Sequence, residues 1–516
     1  MRRKVAVISV FDKKGVEEFA RGLRDLGFEI LSSGGTARFL REKGVETKDI
    51  SSVTNFPEML GGRVKSLHPA IHAGILARRR LKEDMQTLER YGITPIDIVV
   101  CNLYPFENTI AKEGVSLEEI VENIDIGGPT LVRAAAKNFE DVVVVVNPER
   151  YSEVLEEIKE KGEVDREKRV VLAVEAFEHI ARYDAVIANY LRDRLTGEKF
   201  PRNLTLAFEL IQKTRYGENP HQEGAVYKAI PVKNGATIIN SKKLQGKELS
   251  YNNILDADCA IDCVKEFNEP SAVIVKHATP CGIASAQTVL EAWEDAYETD
   301  TYSPFGGVVA FNREVDLELA TTLSKFFLEV IVAPSFGKDA LEMLSKKKNL
   351  RLLELPNLST INQQSEVMYR SVGGGLLVQD KDTCEILPDT WKVVTRKKPS
   401  KEDLESMVFA VKCVRHVRSN AVVFVKGTKT VAIGGGQTAR VDASWIATHK
   451  GGEKIKDSIM ASDAFFPFRD AVDVAAKAGV RAIVQPGGSI RDQEVIDAAN
   501  EHDIIMVFTG QRYFRH

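Results

Sequence analysis

The chain has 516 residues, 44% of them hydrophobic and 28% charged, with a formal net charge of -4. That length predicts two to four domains with ample core, and the slight acidity argues against a general nucleic-acid binder. No charged leader precedes an apolar core and no apolar run reaches membrane-spanning length, so a cytoplasmic location with no membrane contact is expected.

In chain order, residues 5–8, 28–31, 97–101 and 141–146 read as buried strands, separated by helical patterns such as Val16 to Leu26. Such alternation implies a doubly wound parallel sheet, whose ligands bind beyond the carboxyl ends of the strands. After the second strand comes Ser33-Gly34-Gly35-Thr36 and a helix beginning near Ala37. This is either a phosphate cradle of small residues and bare amides or an ordinary helix start with Thr36 as N-cap. It is not a Walker loop, since no Gly-Lys-Ser/Thr follows. Gly61 to Pro69 contains Arg63, Lys65 and Ser66, a guanidinium fork, a point charge and a hydroxyl suited to phosphate. Cys101-Asn102-Leu103-Tyr104 ends another strand, and Asp125-Ile126-Gly127-Gly128-Pro129 leads into a helix that reaches Lys137.

These stretches resemble the cyclohydrolase half of a bifunctional family that couples 5-aminoimidazole-4-carboxamide ribonucleotide (AICAR) formyltransferase to inosine monophosphate (IMP) cyclohydrolase. The resemblance implies a methylglyoxal-synthase-like α/β domain. It implies substrate contacts at Ser9, Lys13, Ser33, Gly34, Gly35, Thr36, Arg63, Val64, Ser66, Cys101, Asn102, Ile126 and Gly127. Lys65, Tyr104, Asp125 and Lys137 would surround the closing ring. Phe11 stands where some members carry a small hydroxyl residue.

Residues 166–195 carry Val170, Val174, Phe177, Ala181, Ile187 and Leu191 at helical spacing, the expected packing face of long helices. Gly197 and Pro201 break the pattern, which places a domain boundary near residue 200. Beyond it, Arg215-Tyr216 opens a polar loop suited to a nucleotide, and Ala272–Val275 is a buried strand ending in Lys276-His277. Residues 337–368, with Lys346-Lys347-Lys348, read as an irregular connector whose lysines form a solvated face. Strands are expected again at 421–425, 430–433, 481–484 and 504–508, a second α/β lobe like the first. Pro304-Phe305-Gly306 and Pro467-Phe468-Arg469 read as a weak internal repeat.

The Arg215 loop, Lys243 to Asn253 and Lys276-His277 resemble the transformylase half of the same family, and the match runs through essentially 1–516. It implies domains at 1–200 (cyclohydrolase) and 201–516 (transformylase), the latter built of two cytidine-deaminase-like subdomains. By resemblance His277 is the proton acceptor and Lys276 stabilises the transition state. Arg215, Tyr216, Gly306, Glu329, Asn420, Arg440 and Arg512 would hold AICAR, with Glu329 standing where an aspartate is common. Val441, Phe465 and Asp470 would contact folate. The expected reaction formylates AICAR from 10-formyltetrahydrofolate as cosubstrate and closes the product to IMP with loss of water. No tightly bound cofactor and no metal is expected: a zinc deaminase needs H-x-E with P-C-x-x-C, whereas Ala278 follows His277 and Pro280-Cys281 lacks its second cysteine. The partners implied are small-molecule nucleotide and folate, with a homodimer whose transformylase sites lie at the subunit interface.

Overall fold

The computed structural model describes residues 3–112, 114–232, 235–358 and 367–516. They divide into two compact units, one running to Glu209 and resuming at Lys228, the other holding Leu210–Tyr227 and the later chain to His516. The division falls past residue 200, because Ala207 and Ile230 are buried in the first unit's core.

In the first unit, β1 (Lys4–Ile8), β2 (Phe28–Ser32), β3 (Lys48–Asp49), β4 (Ile98–Val100) and β5 (Val143–Val145) form a sheet of order β3-β2-β1-β4-β5. All its pairings are parallel. Alternate residues feed two cores: Val5 and Val7 of β1 face one, Ala6 and Ile8 the other. Strands buried on both faces read as unbroken apolar runs, which is why they were visible in the sequence. The strand order reverses between β1 and β4, the switch point where such sheets open a crevice. The long helix Arg166–Leu191 packs differently from expectation. It buries Leu172, Ala173, Ala176, Ile180, Tyr183, Ala185 and Val186, while Val174 and Phe177 are exposed. Small alanines permit close approach to the sheet, so they, and not the bulkier stripe, define the packed face.

A ribbon of β6 (Phe208–Thr214) and β7 (Gly224–Ala229) follows, its residues divided between the units. In the second unit β8 (Lys242–Gln245), β9 (Ser271–Lys276), β10 (Thr279–Ser285), β11 (Gly307–Phe311), β12 (Leu328–Ala333) and β13 (Arg351–Glu354) make one lobe. A hairpin of β14 (Val367–Val372) and β15 (Gly375–Asp380) precedes the second lobe. That lobe contains β16 (Lys392–Val393), β17 (Val422–Lys426), β18 (Lys429–Gly434), β19 (Ile459–Ser462), β20 (Ala482–Gln485) and β21 (Ile505–Phe508). Together they form a sheet of order β16-β21-β20-β19-β17-β18-β10-β9-β11-β12-β13-β8. Each lobe runs helix, hairpin, helix, then parallel strands, so the expected duplication is present. The stretch 337–368 is not an irregular connector throughout: it contains the helix Lys338–Ser345 and β13, residues 359–366 lie outside the described residues, and β14 begins at Val367. Lys347 of the lysine triplet is half-buried and donates to the carbonyl of Phe326 at 2.5 Å.

The lobes join through β10 and β18, which are antiparallel and share a single registered pair, Ala284 with Lys429. Side-chain hydroxyls take over from the ladder there. Thr430 accepts from Ile283 N–H at 2.9 Å and donates back to its carbonyl at 3.0 Å, and Thr428 donates to Ser285 O at 2.7 Å. A continuous core under both lobes contains Val273, Val275, Val423 and Val425, covered by the helices Tyr251–Val264 and Lys401–Val414.

Candidate functional sites

In the first unit the strand-end loops are tied together by backbone capture. Asn102, just past β4, accepts from the N–H groups of Phe11 (2.6 Å) and Asp12 (2.9 Å) in the loop after β1. Thr36 reaches the same loop, donating to Val10 O at 2.9 Å and receiving Lys13 Nζ at 3.1 Å. The helix after β2 starts at Gly34 with Ser33 as N-cap, so Thr36 lies inside the first turn instead of capping it. The helix begins early because Thr36 bonds across to β1's loop, a non-local partner that local capping rules cannot see. Phe11 packs edge-on against Tyr104, ring centroids 4.3 Å apart, and Ser9 N–H pairs with Val100 O at 2.8 Å.

The arginine loop meets this cluster where glycines leave room. A Cβ on Gly34 would stand 3.2 Å from Lys65 Nζ, and one on Gly127 would stand 3.1 Å from Ser66 Oγ. Lys65 pairs with Glu58 at 3.0 Å and Arg63 with Glu122, surface pairs that an anion could displace. Val64 bridges back to Met59, and Cys101 Sγ lies 3.8 Å from Gly128 O. Asp125 is half-buried and Oδ1 accepts from Gly128 N–H at 2.9 Å. Burial pushes its pKa up, against the pull of the Gly128 and Gly127 amides and the charge of Lys65. A carboxyl whose pKa is raised by burial, beside a lysine, is suited to proton exchange. Ile126 is exposed next to it.

Lys137 is not part of this cluster. It ends the 11-residue helix Gly127–Lys137, so roughly 16 Å of helix separates it from Asp125's turn. One residue the sequence reading missed is Tyr183, whose hydroxyl accepts from Asp125 N–H at 2.8 Å. Its only sequence signal is a tyrosine on a helix face that is otherwise small and apolar.

In the second unit, the strand directions gather the expected residues on one rim of the sheet. The carboxyl end of β9 holds Lys276-His277, and antiparallel β11 begins beside it at Gly306-Gly307. Parallel β12 and β13 begin there too, near Phe327, Glu329 and Arg351. Because β10 and β18 run antiparallel, the second lobe is inverted in the sheet, and its opposite strand ends reach the same rim. These are Asn420 before β17, Arg440-Val441 after β18, Phe465 and Asp470 after β19, and Arg512 after β21. The Arg215-Tyr216 loop joins them: Asn252, in the first turn of the helix Tyr251–Val264 that follows β8, donates to Glu218 O at 3.2 Å. The two Pro-Phe motifs are therefore not a repeat. Pro304-Phe305-Gly306 precedes its strand, whereas Pro467-Phe468-Arg469 follows the equivalent one, and lobe inversion brings both to one rim.

Lys276 Nζ donates to the carbonyls of Phe305 (2.9 Å) and Gly306 (3.0 Å). Gly306, at φ 67°, leaves little room for a side chain: a Cβ would stand 3.2 Å from Phe327 and 3.3 Å from Lys276 Nζ, and the left-handed backbone would be strained. His277 is exposed at the tip of the β9–β10 turn, with φ 55°, and Ala278 follows at φ 52°. Left-handed backbone at a non-glycine residue costs roughly 1–2 kcal/mol, a strain that concentrates at functional sites. Arg215 lies over the Tyr216 ring at 4.7 Å, and Arg512 over Phe514 at 4.3 Å, both guanidinium groups remaining exposed. Phe465 is exposed, and Asp470 opens the helix Asp470–Lys477, accepting from Ala471 N–H at 2.7 Å.

Two expected binding residues have protein partners. Arg440 is buried, ion-paired with Asp463, and donates to Ser462 Oγ at 2.8 Å and Asn420 Oδ1 at 2.6 Å. That geometry makes it a brace that presents Asn420. Glu329 pairs with the largely buried Arg351, which fixes the longer carboxylate in place. Among the described residues no group of three or more His, Cys, Asp or Glu side chains could hold a metal ion.

Phosphate-suited loops at a parallel switch point, and a basic, imidazole-bearing rim on a duplicated α/β unit, are features suited to an enzyme that handles nucleotides. The model for the AICARFT/IMPCHase bienzyme matches residues 135–450, and that for the MGS-like domain matches 15–130. The chain is 52% identical to the bifunctional purine biosynthesis protein PurH of Acetivibrio thermocellus, across 99% of this chain and 100% of the relative. It is 53% identical to that of Persephonella marina and 50% identical to that of Bacillus subtilis, each covering 100% of both chains. The chain belongs to the AICARFT/IMPCHase bienzyme family, and it is an AICAR formyltransferase and IMP cyclohydrolase of purine biosynthesis.

Proposed function

We propose that the two activities are divided between the units, with ring closure at the strand ends of the first and formyl transfer at the rim of the second. The observation that carries this reading is the inverted join of the lobes, which gathers Lys276, His277, Asn420, Phe465 and Arg512 on one rim. The cosubstrate is 10-formyltetrahydrofolate, and the working form is a cytoplasmic homodimer of this chain binding nucleotide and folate.

AICAR's amine is conjugated with its carboxamide and is a poor nucleophile. His277 removes the amine's proton as the amine attacks the formyl carbon, and the bond from that carbon to N10 of the folate then breaks, N10 taking up a proton as tetrahydrofolate leaves. Lys276, already fixed by two carbonyls, stabilises charge on the formyl oxygen. The exposed forks of Arg215 and Arg512 suit the phosphate, and Phe465 offers a flat face to the pterin.

Ring closure joins two groups on one molecule, so positioning supplies most of the catalysis. Ser33 to Thr36 and Arg63 to Ser66 hold the ribose phosphate. Lys65 and Tyr104 stabilise the oxyanion as the carboxamide nitrogen attacks the formyl carbon, and Asp125 takes the nitrogen's proton. Water leaves from the carbinol carbon. Lys137 enters this proposal on family resemblance alone. Incubating the protein with AICAR and 10-formyltetrahydrofolate should yield IMP, and formyl-AICAR supplied directly should do so without folate. Failure of the second reaction would remove the first unit's assignment.

A further inference from the structure

We propose that Asp256 is a positioning residue for formyl transfer, its carboxylate pinning the left-handed turn that aims His277. The inference rests on the assignment of His277 as proton acceptor.

Asp256 lies on the helix Tyr251–Val264, in the buried face that includes Asn253, Ala257 and Ala260. A carboxylate on such a face needs a partner. Its Oδ1 accepts from the N–H of Ala278 at 2.6 Å, a charge-assisted bond to the second residue of the turn. His277 and Ala278 both stand at positive φ between the paired residues Lys276 and Thr279, the pattern of a two-residue turn that favours asparagine and glycine. Neither residue here is one of those. The turn is held from outside.

The second lobe provides an internal comparison. Its helix Lys401–Val414 has the same length and the same serine capping box, Ser400 matching Ser250. The spacing from Ser400 to Lys426 equals that from Ser250 to Lys276, so Gly427-Thr428 matches His277-Ala278 and Ser406 matches Asp256. There glycine takes the left-handed position at φ 57°. Where the turn carries no imidazole, glycine and a buried serine stand in these places. Where it carries His277, two non-glycine residues are left-handed and a buried carboxylate secures them. Asp256 acts only through the Ala278 backbone, and its effect follows from the tolerance of proton transfer to misplacement, where about 1 Å can cost about 100-fold.

The test uses the full-length protein and assays both reactions, with closure of supplied formyl-AICAR as the control in the same preparation. Asp256→Ala should lower kcat for formyl transfer by about 100-fold. The KM for AICAR should stay within about threefold and ring closure should be unchanged. Asp256→Asn keeps an acceptor oxygen and should recover at least about tenfold of the loss. If Asp256→Ala does not fold, Asp256→Ser, which installs the residue used by the second lobe, carries the same expectation. Wild-type formyl transfer in Asp256→Ala or Asp256→Ser, or equal damage in Asp256→Asn, overturns the positioning role. His277→Ala run alongside separates the two claims: formyl transfer that survives it defeats the His277 assignment. Loss in His277→Ala with unimpaired Asp256→Ala defeats only the inference about Asp256.

Discussion

The hydroxyl of Tyr183, on the long helix of the first unit, accepts a hydrogen bond from the backbone N–H of Asp125 at 2.8 Å. Tyr183 is buried and packs edge-on against Phe106, centroids 6.4 Å apart, so ring and hydroxyl are both fixed. The turn that carries the candidate proton acceptor for ring closure is thereby anchored to a helix distant in sequence. Tyr183→Phe removes the acceptor and keeps the ring. It should slow ring closure about tenfold and leave formyl transfer intact. The unpaired Asp125 amide should lower the first unit's stability by about 1–2 kcal/mol, read by thermal denaturation.

Asp125 itself gives a pH prediction with a definite sign. Burial raises its folded-state pKa, so the protonated form is favoured on folding, and that stability is lost as pH rises through the folded value. Asp125→Asn removes the ionisation. Its melting temperature should exceed wild type at pH 7, the difference shrinking as pH falls toward the ordinary carboxylate range, while ring closure is lost. A variant less stable than wild type at pH 7 would contradict the burial argument.

His277→Ala should reduce formyl transfer by about 100- to 10,000-fold, the usual contribution of a general base. Closure of supplied formyl-AICAR should be unchanged. Loss of both activities would contradict separate sites.

Glu266 ties the helices of the two lobes together. It meets His416 at 3.1 Å and Arg415 at 3.3 Å, and its backbone carbonyl receives Lys412 at 2.9 Å. Burial alone would raise its pKa, but the His416 hydrogen bond and the charges of His416, Arg415 and Lys412 bring it down to about 2. A depressed carboxylate stabilises the fold above its unfolded pKa, and that stability drains away as pH falls from about 4.5 toward 2. Glu266→Gln leaves cations without their counter-charge and should destabilise the second unit by on the order of 3 kcal/mol at pH 7. Thermal melts at pH 7 and pH 3 check this, the gap narrowing at the lower pH.

Much of this enzyme is legible in one dimension. The buried strands announce themselves as apolar runs because both faces of each sheet are covered, and the candidate phosphate loops are short local motifs at strand ends. Lys276, His277 and Gly306 could be placed at strand ends for that reason. The exposed stripe Val174-Phe177 shows the limit: helical period marks an apolar face but not which of two apolar faces is packed.

What the linear sequence determined, then, was element type, strand ends and the chemistry of the loops, all set by interactions within a few residues. Tertiary structure alone decided that Asn420 and Lys276 share a rim, that Arg440 braces Asn420 against Asp463, and that Asp256 and Tyr183 steady the turns bearing His277 and Asp125. Those relations depend on strand direction and helix register across long sequence separations, and a hydrogen bond between distant residues leaves no periodicity to read.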